Sequence, residues 1–227
     1  MVKRGLAMKR KRIRKKALDP KGISYAVAAV LFAVLCLLGA VLFLGERAPF
    51  SDTPCETSGG ITLPEWVDVQ LIRVDGASRR GVPLEGVRDI AVHYVGNPNT
   101  TAMANRNYFD SPDSTVSSHF IVGLEGEVIL CVPLDEKSSA TNERNRDTIS
   151  VEVCHPDSEG KFSEVTEESL IRLLIWLCEN FDLSEENLIR HYDVTGKKCP
   201  LYYVEHPEEW ERIKSSVAKG LQDKENV

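Results

Sequence analysis

Residues 148–154 read Thr-Ile-Ser-Val-Glu-Val-Cys, a near-continuous β-branched run. Such a run, without alternating polar positions, is expected of a strand buried on both faces. A strand of that kind needs layers above and below it. Upstream lie four further apolar stretches that read as strands: 66–72, 87–95, 118–123 and 127–134. The last two are joined by Leu124-Glu125-Gly126, the signature of a hairpin. Downstream the period changes. After Thr166, a suitable N-cap, Leu170, Leu173, Leu174, Leu177, Cys178 and Phe181 recur every three or four residues. Ser184 is placed to cap a short turn through Ile189, and Glu208 to Gly220 reads as a final amphipathic helix. The mixture predicts an α/β fold, with a mixed central β-sheet flanked by helices.

The rest of the chain sets the surroundings of this unit. Residues 1–22 carry ten Lys/Arg and one acid, while the remainder carries 18 basic and 33 acidic residues. Residues 23–44 contain no charge. As a helix, 22 residues would span about 33 Å, enough for a hydrocarbon core of about 30 Å. The expected organisation is a basic cytoplasmic tail (1–22), a single transmembrane anchor (23–44), a linker rich in Pro, Gly, Ser and Thr (45–60), a folded domain (61–222) and a short tail (223–227). The positive-inside rule leaves the N-terminus in the cytoplasm and the domain outside the cell membrane. A cleaved signal peptide is the rival reading. Against it, the apolar stretch exceeds the usual length and no clear A-x-A site follows. The basic tail is accounted for by topology and anionic lipid, so no nucleic-acid partner is expected.

Six cysteines are present. Cys36 lies in the apolar segment, where it reads as a small apolar filler. Five lie beyond it, an odd number for an oxidising compartment, so at least one thiol has another use. Cys131 and Cys154, expected on neighbouring strands, are candidates for a bridge or for two buried thiols.

The most informative polar stretch is Arg190-His-Tyr-Asp-Val-Thr-Gly-Lys-Lys-Cys-Pro-Leu201, which reads as a loop. A turn at Gly196 would fold the Cys199 thiol back toward the His191 imidazole. Imidazole and thiolate are both good ligands for Zn²⁺. Two ligands do not make a site, and His93, which interrupts the apolar strand Ala91-Val-His-Tyr-Val95, is the candidate third. A lone strand histidine is more often a hydrogen-bonded core residue, so spacing alone leaves His93 open.

Four segments together carry a family resemblance: Ala91-Val-His-Tyr-Val95, Ser117-Ser-His-Phe-Ile-Val122, Thr148-Ile-Ser-Val-Glu-Val153 and Arg190 to Pro200. In this order and spacing the chain resembles the zinc-dependent N-acetylmuramoyl-L-alanine amidases, the family that includes amidase-type phage lysozymes and the animal peptidoglycan recognition proteins. The likeness covers about 87–213 and is strongest to clostridial and bacillary cell-wall hydrolases. It implies that His93, His191 and Cys199 hold Zn²⁺. It implies Glu152 as general base and Lys197 as the cation facing the oxyanion. Lys198 beside it reads as merely solvated.

The reaction implied is hydrolysis of the bond between N-acetylmuramic acid and L-alanine in peptidoglycan. The alternative is a non-catalytic peptidoglycan-binding module of the same fold, though such relatives typically lack the cysteine. Two departures stand out. A tyrosine that the phage enzymes use is here Ser118. The Trp-His pair of many relatives is replaced by the segment 137–145. His119 is a candidate to orient substrate or to pack behind the site. Asn142 and Asn145 are candidates to bind glycan or stem peptide, with a turn as the alternative. His155 and His206, each followed by proline, read as loop residues; Trp176, Phe181 and Trp210 read as core.

Overall fold

The computed structural model describes residues 57–225 apart from Asp75. Among these residues no helix is long and apolar enough to cross a membrane. The expected tail and anchor, with Cys36 and Cys55, lie outside them.

In chain order the strands are β1 (Thr57–Ser58), β2 (Ile61–Thr62), β3 (Val67–Val69) and β4 (Asp89–Tyr94). Helix α1 (Ala102–Phe109) follows, then β5 (Phe120–Val122), β6 (Val128–Leu130) and β7 (Thr148–Val153). Helix α2 (Glu164–Phe181), β8 (Leu188–Arg190), α3 (His191–Thr195), α4 (Leu201–Glu205) and α5 (Pro207–Glu225) complete the domain. β1 and β2 form a small antiparallel pair, and β1 falls within the segment expected as linker. The main sheet has the order β3-β6-β5-β7-β4-β8. Only β5 and β6 run antiparallel, as the predicted hairpin.

β7 lies inside the sheet between β5 and β4, buried everywhere except at half-buried Glu152. The pleat sorts its residues. Ile149, Val151 and Val153 join Ile90, Val92, Phe120 and Val122 in a core that Leu170, Leu173, Leu174 and Leu177 of α2 cover, with Trp210, Ile213 and Val217 of α5. On the opposite face Ile121 and Ile129 pack with Ala102 and Phe109 of α1. That face also carries His93 and Glu152, which the alternation of β4 and β7 turns away from the larger core.

Several expectations need correction. The N-cap of α2 is Ser163, not Thr166: its hydroxyl accepts from the Thr166 amide, and the helix starts at Glu164. The Thr166 hydroxyl instead donates to the Gly123 carbonyl in the β5–β6 turn, tying helix to hairpin. In that turn Gly126 has φ +81°, and an added Cβ would lie 2.7 Å from Ser169 Oγ, so only glycine fits. The turn after Ser184 leads into strand β8, which adds to the sheet edge beside β4. α5 does not stop at Gly220; it runs on to Glu225, past the expected start of the tail, and Gly220 lets Ile175 of α2 approach closely. α1 escaped prediction because its surface is polar and only Ala102 and Phe109 are buried. Cys131 and Cys154 are not on adjacent strands, since β5 separates β6 from β7, and both are free buried thiols. Trp176 sits edge-on against Trp66 and Phe120, and Trp210 is buried, as core residues.

Candidate active site

The parallel register sets His93 directly beside Glu152, so the two side chains share one face at the carboxyl ends of β4 and β7. In open α/β sheets this end is where ligands bind, because the strands stop and the loops diverge. β8 runs parallel to β4 with Arg190 opposite Val92, which delivers His191 beside His93. The two imidazole centroids are 4.6 Å apart.

The stretch expected as a polar loop is instead helical over His191–Thr195. Arg190 secures it, its guanidinium bonding both Asp193 oxygens and the Tyr203 carbonyl. Gly196 ends the helix in the left-handed region at φ +75° and reverses the chain. The Tyr192 amide then donates to the Cys199 carbonyl at 2.9 Å, which locks the return. Cys199 Sγ ends 3.8 Å from His93 Nδ1. One ligand atom from each of His93, His191 and Cys199 lies within 4.8 Å of the others, and all three residues are buried.

Burial dominates the electrostatics. It lowers His93 to about 3, with His191 and Lys197 adding repulsion. It lowers His191 as well, reinforced by Lys197 and opposed by Glu143. Both rings are therefore neutral at physiological pH, with a lone pair free to donate. Burial pushes the Cys199 thiol up to about 12, and Glu152 adds to the effect. Burial likewise raises Glu152 to about 8, against the pull of Lys197. Among the described residues, the buried atoms Nε2 of His191 and Oε2 of Glu152 have no hydrogen-bond partner. Two neutral imidazoles, a thiol awaiting a compensating charge and an unpartnered ring nitrogen fit a divalent cation of zinc type. A cation held by these three side chains would have a fourth position left for water, the arrangement of catalytic rather than structural sites.

The cluster lines a cavity of about 940 Å³ together with Glu152, Lys197, Tyr94, Asn142 and Asn145. Its lining also includes Arg80, Val82 and Val116, none of which sequence pattern singles out. Lys197 is exposed and makes no ion pair among the described residues, whereas Lys198 pairs with Glu205 at 2.7 Å rather than being merely solvated.

His119 does not reach this cavity. It is fully buried, Nδ1 accepting from the Ser150 amide and Nε2 facing the Glu136 carbonyl at 2.9 Å, so it packs behind the site. Ser118 is buried and bonds the Phe120 carbonyl, which leaves no side chain in the cavity from that position. The side-chain oxygen of Asn145 is occupied by the Ala140 and Thr141 amides, so its first duty is the turn. His155 is buried and packs against the Tyr94 ring. Thr141, 3.2 Å from His93 Nε2, was not legible from any motif.

The family model for N-acetylmuramoyl-L-alanine amidases matches residues 83–201. The N-acetylmuramoyl-L-alanine amidase BlyA of Bacillus subtilis is 29% identical over 174 residues, covering 67% of this chain and 47% of that protein. The amidase CwlL of Bacillus licheniformis is 28% identical over 171 residues, covering 68% and 47%. The chain thus spans about half the length of the curated relatives it matches. The solved catalytic domain of XlyA superposes with a TM-score of 0.59 at 25% identity, covering 66% of this chain and 98% of that one. With the cluster, the groove and a family model that covers more than half of its length, the chain belongs to the N-acetylmuramoyl-L-alanine amidase family.

Proposed function

We propose that this domain hydrolyses the amide bond between the lactyl group of N-acetylmuramic acid and L-alanine of peptidoglycan, with Zn²⁺ held by His93, His191 and Cys199. The observation that carries this reading is the convergence of those three buried side chains at a groove that also holds Glu152. When bound, zinc supplies a positive charge that acidifies water and polarises a carbonyl.

The protein's own groups account for the proton traffic. Hydrolysis adds a water oxygen to the carbonyl carbon, breaks the C–N bond and leaves an amine that needs a proton. Glu152 is placed to take the proton from water and return it to the departing nitrogen. Among the described residues no donor bonds its Oε2, and a value raised by burial to about 8 lies near the operating range, where a group both accepts and releases protons efficiently. Lys197, which makes no ion pair among the described residues, brings an ammonium to the same cavity, where negative charge would develop on the former carbonyl oxygen. Asn142, on the cavity wall, is placed to contact glycan or stem peptide. In the same reading residues 23–44 anchor the chain in the cell membrane, with the tail 1–22 cytoplasmic and the domain on the outer side, where peptidoglycan lies.

The test is digestion of purified cell wall by the full chain, followed by mass spectrometry of released fragments and assay of new N-terminal alanine. Release of stem peptides beginning with alanine is expected. Binding to wall without release would reduce the protein to a recognition module.

A further inference from the structure

We infer that Thr141 fixes which nitrogen of His93 faces the ligand cluster, with Asn145 holding Thr141 in position for that task. The inference rests on the zinc reading above and concerns a residue that touches neither substrate nor metal.

Thr141 precedes the short 3-10 turn Asn142–Arg146, at the N-cap position. A threonine there ordinarily uses its hydroxyl to accept a backbone amide of the turn. This one makes no such bond. Its Oγ1 lies 3.2 Å from His93 Nε2, and the residue is fully buried. The backbone supports the diversion. The Thr141 and Ala140 amides both donate to Asn145 Oδ1, at 2.6 and 3.0 Å. Asn145 thus closes the turn from within and relieves the threonine hydroxyl of capping.

The consequence concerns the imidazole. A neutral ring carries one N–H and one lone pair, and only the nitrogen with the lone pair can bind a cation. Nδ1 is the nitrogen that faces the cluster, 3.8 Å from Cys199 Sγ. With the Nε2–H donated to Thr141 Oγ1, Nδ1 is left bare toward the cluster. The opposite tautomer would put a hydrogen where a ligand bond must form. The orienting partner of a ligating histidine is commonly a carboxylate, carbonyl or water. Here a threonine supplied by the segment 137–145 takes that place.

The experiment uses the full chain and two readouts. Zinc affinity is measured by competition with a chromophoric chelator, and the His93 tautomer by ring ¹⁵N shifts in the metal-free protein. Thr141→Val, near-isosteric but without the acceptor, is expected to bind zinc about 10-fold or more weakly, and Thr141→Ser to stay within about 3-fold of wild type. Wild-type His93 is expected to carry its proton on Nε2, and Thr141→Val to populate both tautomers. Asn145→Ala keeps the hydroxyl but frees the turn, and several-fold weaker binding is expected. It also serves if Thr141→Val does not fold. Unchanged affinity in Thr141→Val, or a wild-type proton on Nδ1, overturns the assignment; unchanged affinity in Asn145→Ala removes that residue from it. A wild-type chain that binds no zinc would instead overturn the metal reading, while the tautomer measurement still decides where Thr141 directs the ring.

Discussion

Glu152 shows how one residue is shaped by its place. A strand carboxylate facing solvent would ionise near 4.5, but burial raises this one to about 8. In the unfolded chain the carboxyl ionises at its ordinary value, so the folded state of the metal-free protein loses stability as pH rises from about 4.5 and levels off above about 8. Glu152→Gln has nothing to ionise. Its stability relative to wild type should grow across that window by about a few kcal/mol, as expected for a carboxyl held that far above its ordinary value. Denaturant melts at pH 5 and pH 9 check this; parallel behaviour of the two proteins would show the carboxyl to be solvated. The same variant should lower turnover by about 10²-fold or more while retaining zinc. Cys199→Ala should fail differently, with lost activity and lost metal by elemental analysis, because it removes a ligand and leaves the base intact.

At the level of elements, the site depends on where strands and helices stop. β4 and β7 end together and present His93 and Glu152 side by side, while β8 ends one residue before His191. The helix behind the sheet is held by its start. Ser163 caps α2, and Thr166, three residues on, bonds the β5–β6 turn. Ser163→Ala should cost about 1 kcal/mol in thermal or denaturant unfolding, the usual worth of such a cap, without altering zinc content. A loss well below that would mean that the Thr166 bond alone holds the helix start. Edge strand β8 was read as a turn because it has three residues and little pattern of its own; pairing with β4 makes it a strand.

For the molecule as a whole, the groove has one wall that the sheet does not supply. The segment around Arg79 and Arg80 is fastened by an ion pair between buried Arg79 and half-buried Glu136, Arg79 bonding both Glu136 oxygens at 2.7 and 2.8 Å and the Ile72 carbonyl. Removing Arg79 leaves a half-buried carboxylate and the Ile72 carbonyl without their partner. Arg79→Ala should therefore cost about 1–3 kcal/mol, read as a lowered unfolding midpoint. Metal should stabilise the same unit. Chelator treatment of the full chain is expected to abolish wall hydrolysis and lower Tm, with both restored by added Zn²⁺, since a ligand bound only by the native state shifts the unfolding equilibrium. Activity that survives complete metal removal would remove zinc from the mechanism.

The class of fold is legible in the chain alone, because the β-branched run at 148–154 calls for a strand covered on both faces and the leucine stripe of α2 supplies a cover. The sequence also pointed to His191 and Cys199, whose separation by a glycine turn is a local matter, and through family resemblance to His93 and Glu152. Tertiary structure decided what depends on register and burial. Parallel pairing of β4 with β7 set His93 beside Glu152, and pairing of β4 with β8 brought in His191. Burial turned His119 from a candidate for substrate contact into a packed residue with both nitrogens engaged. It also placed Thr141, unremarked in its polar segment, against His93. Contacts between residues 48 positions apart leave no period or spacing in a single chain, so that pairing becomes visible only in the folded structure.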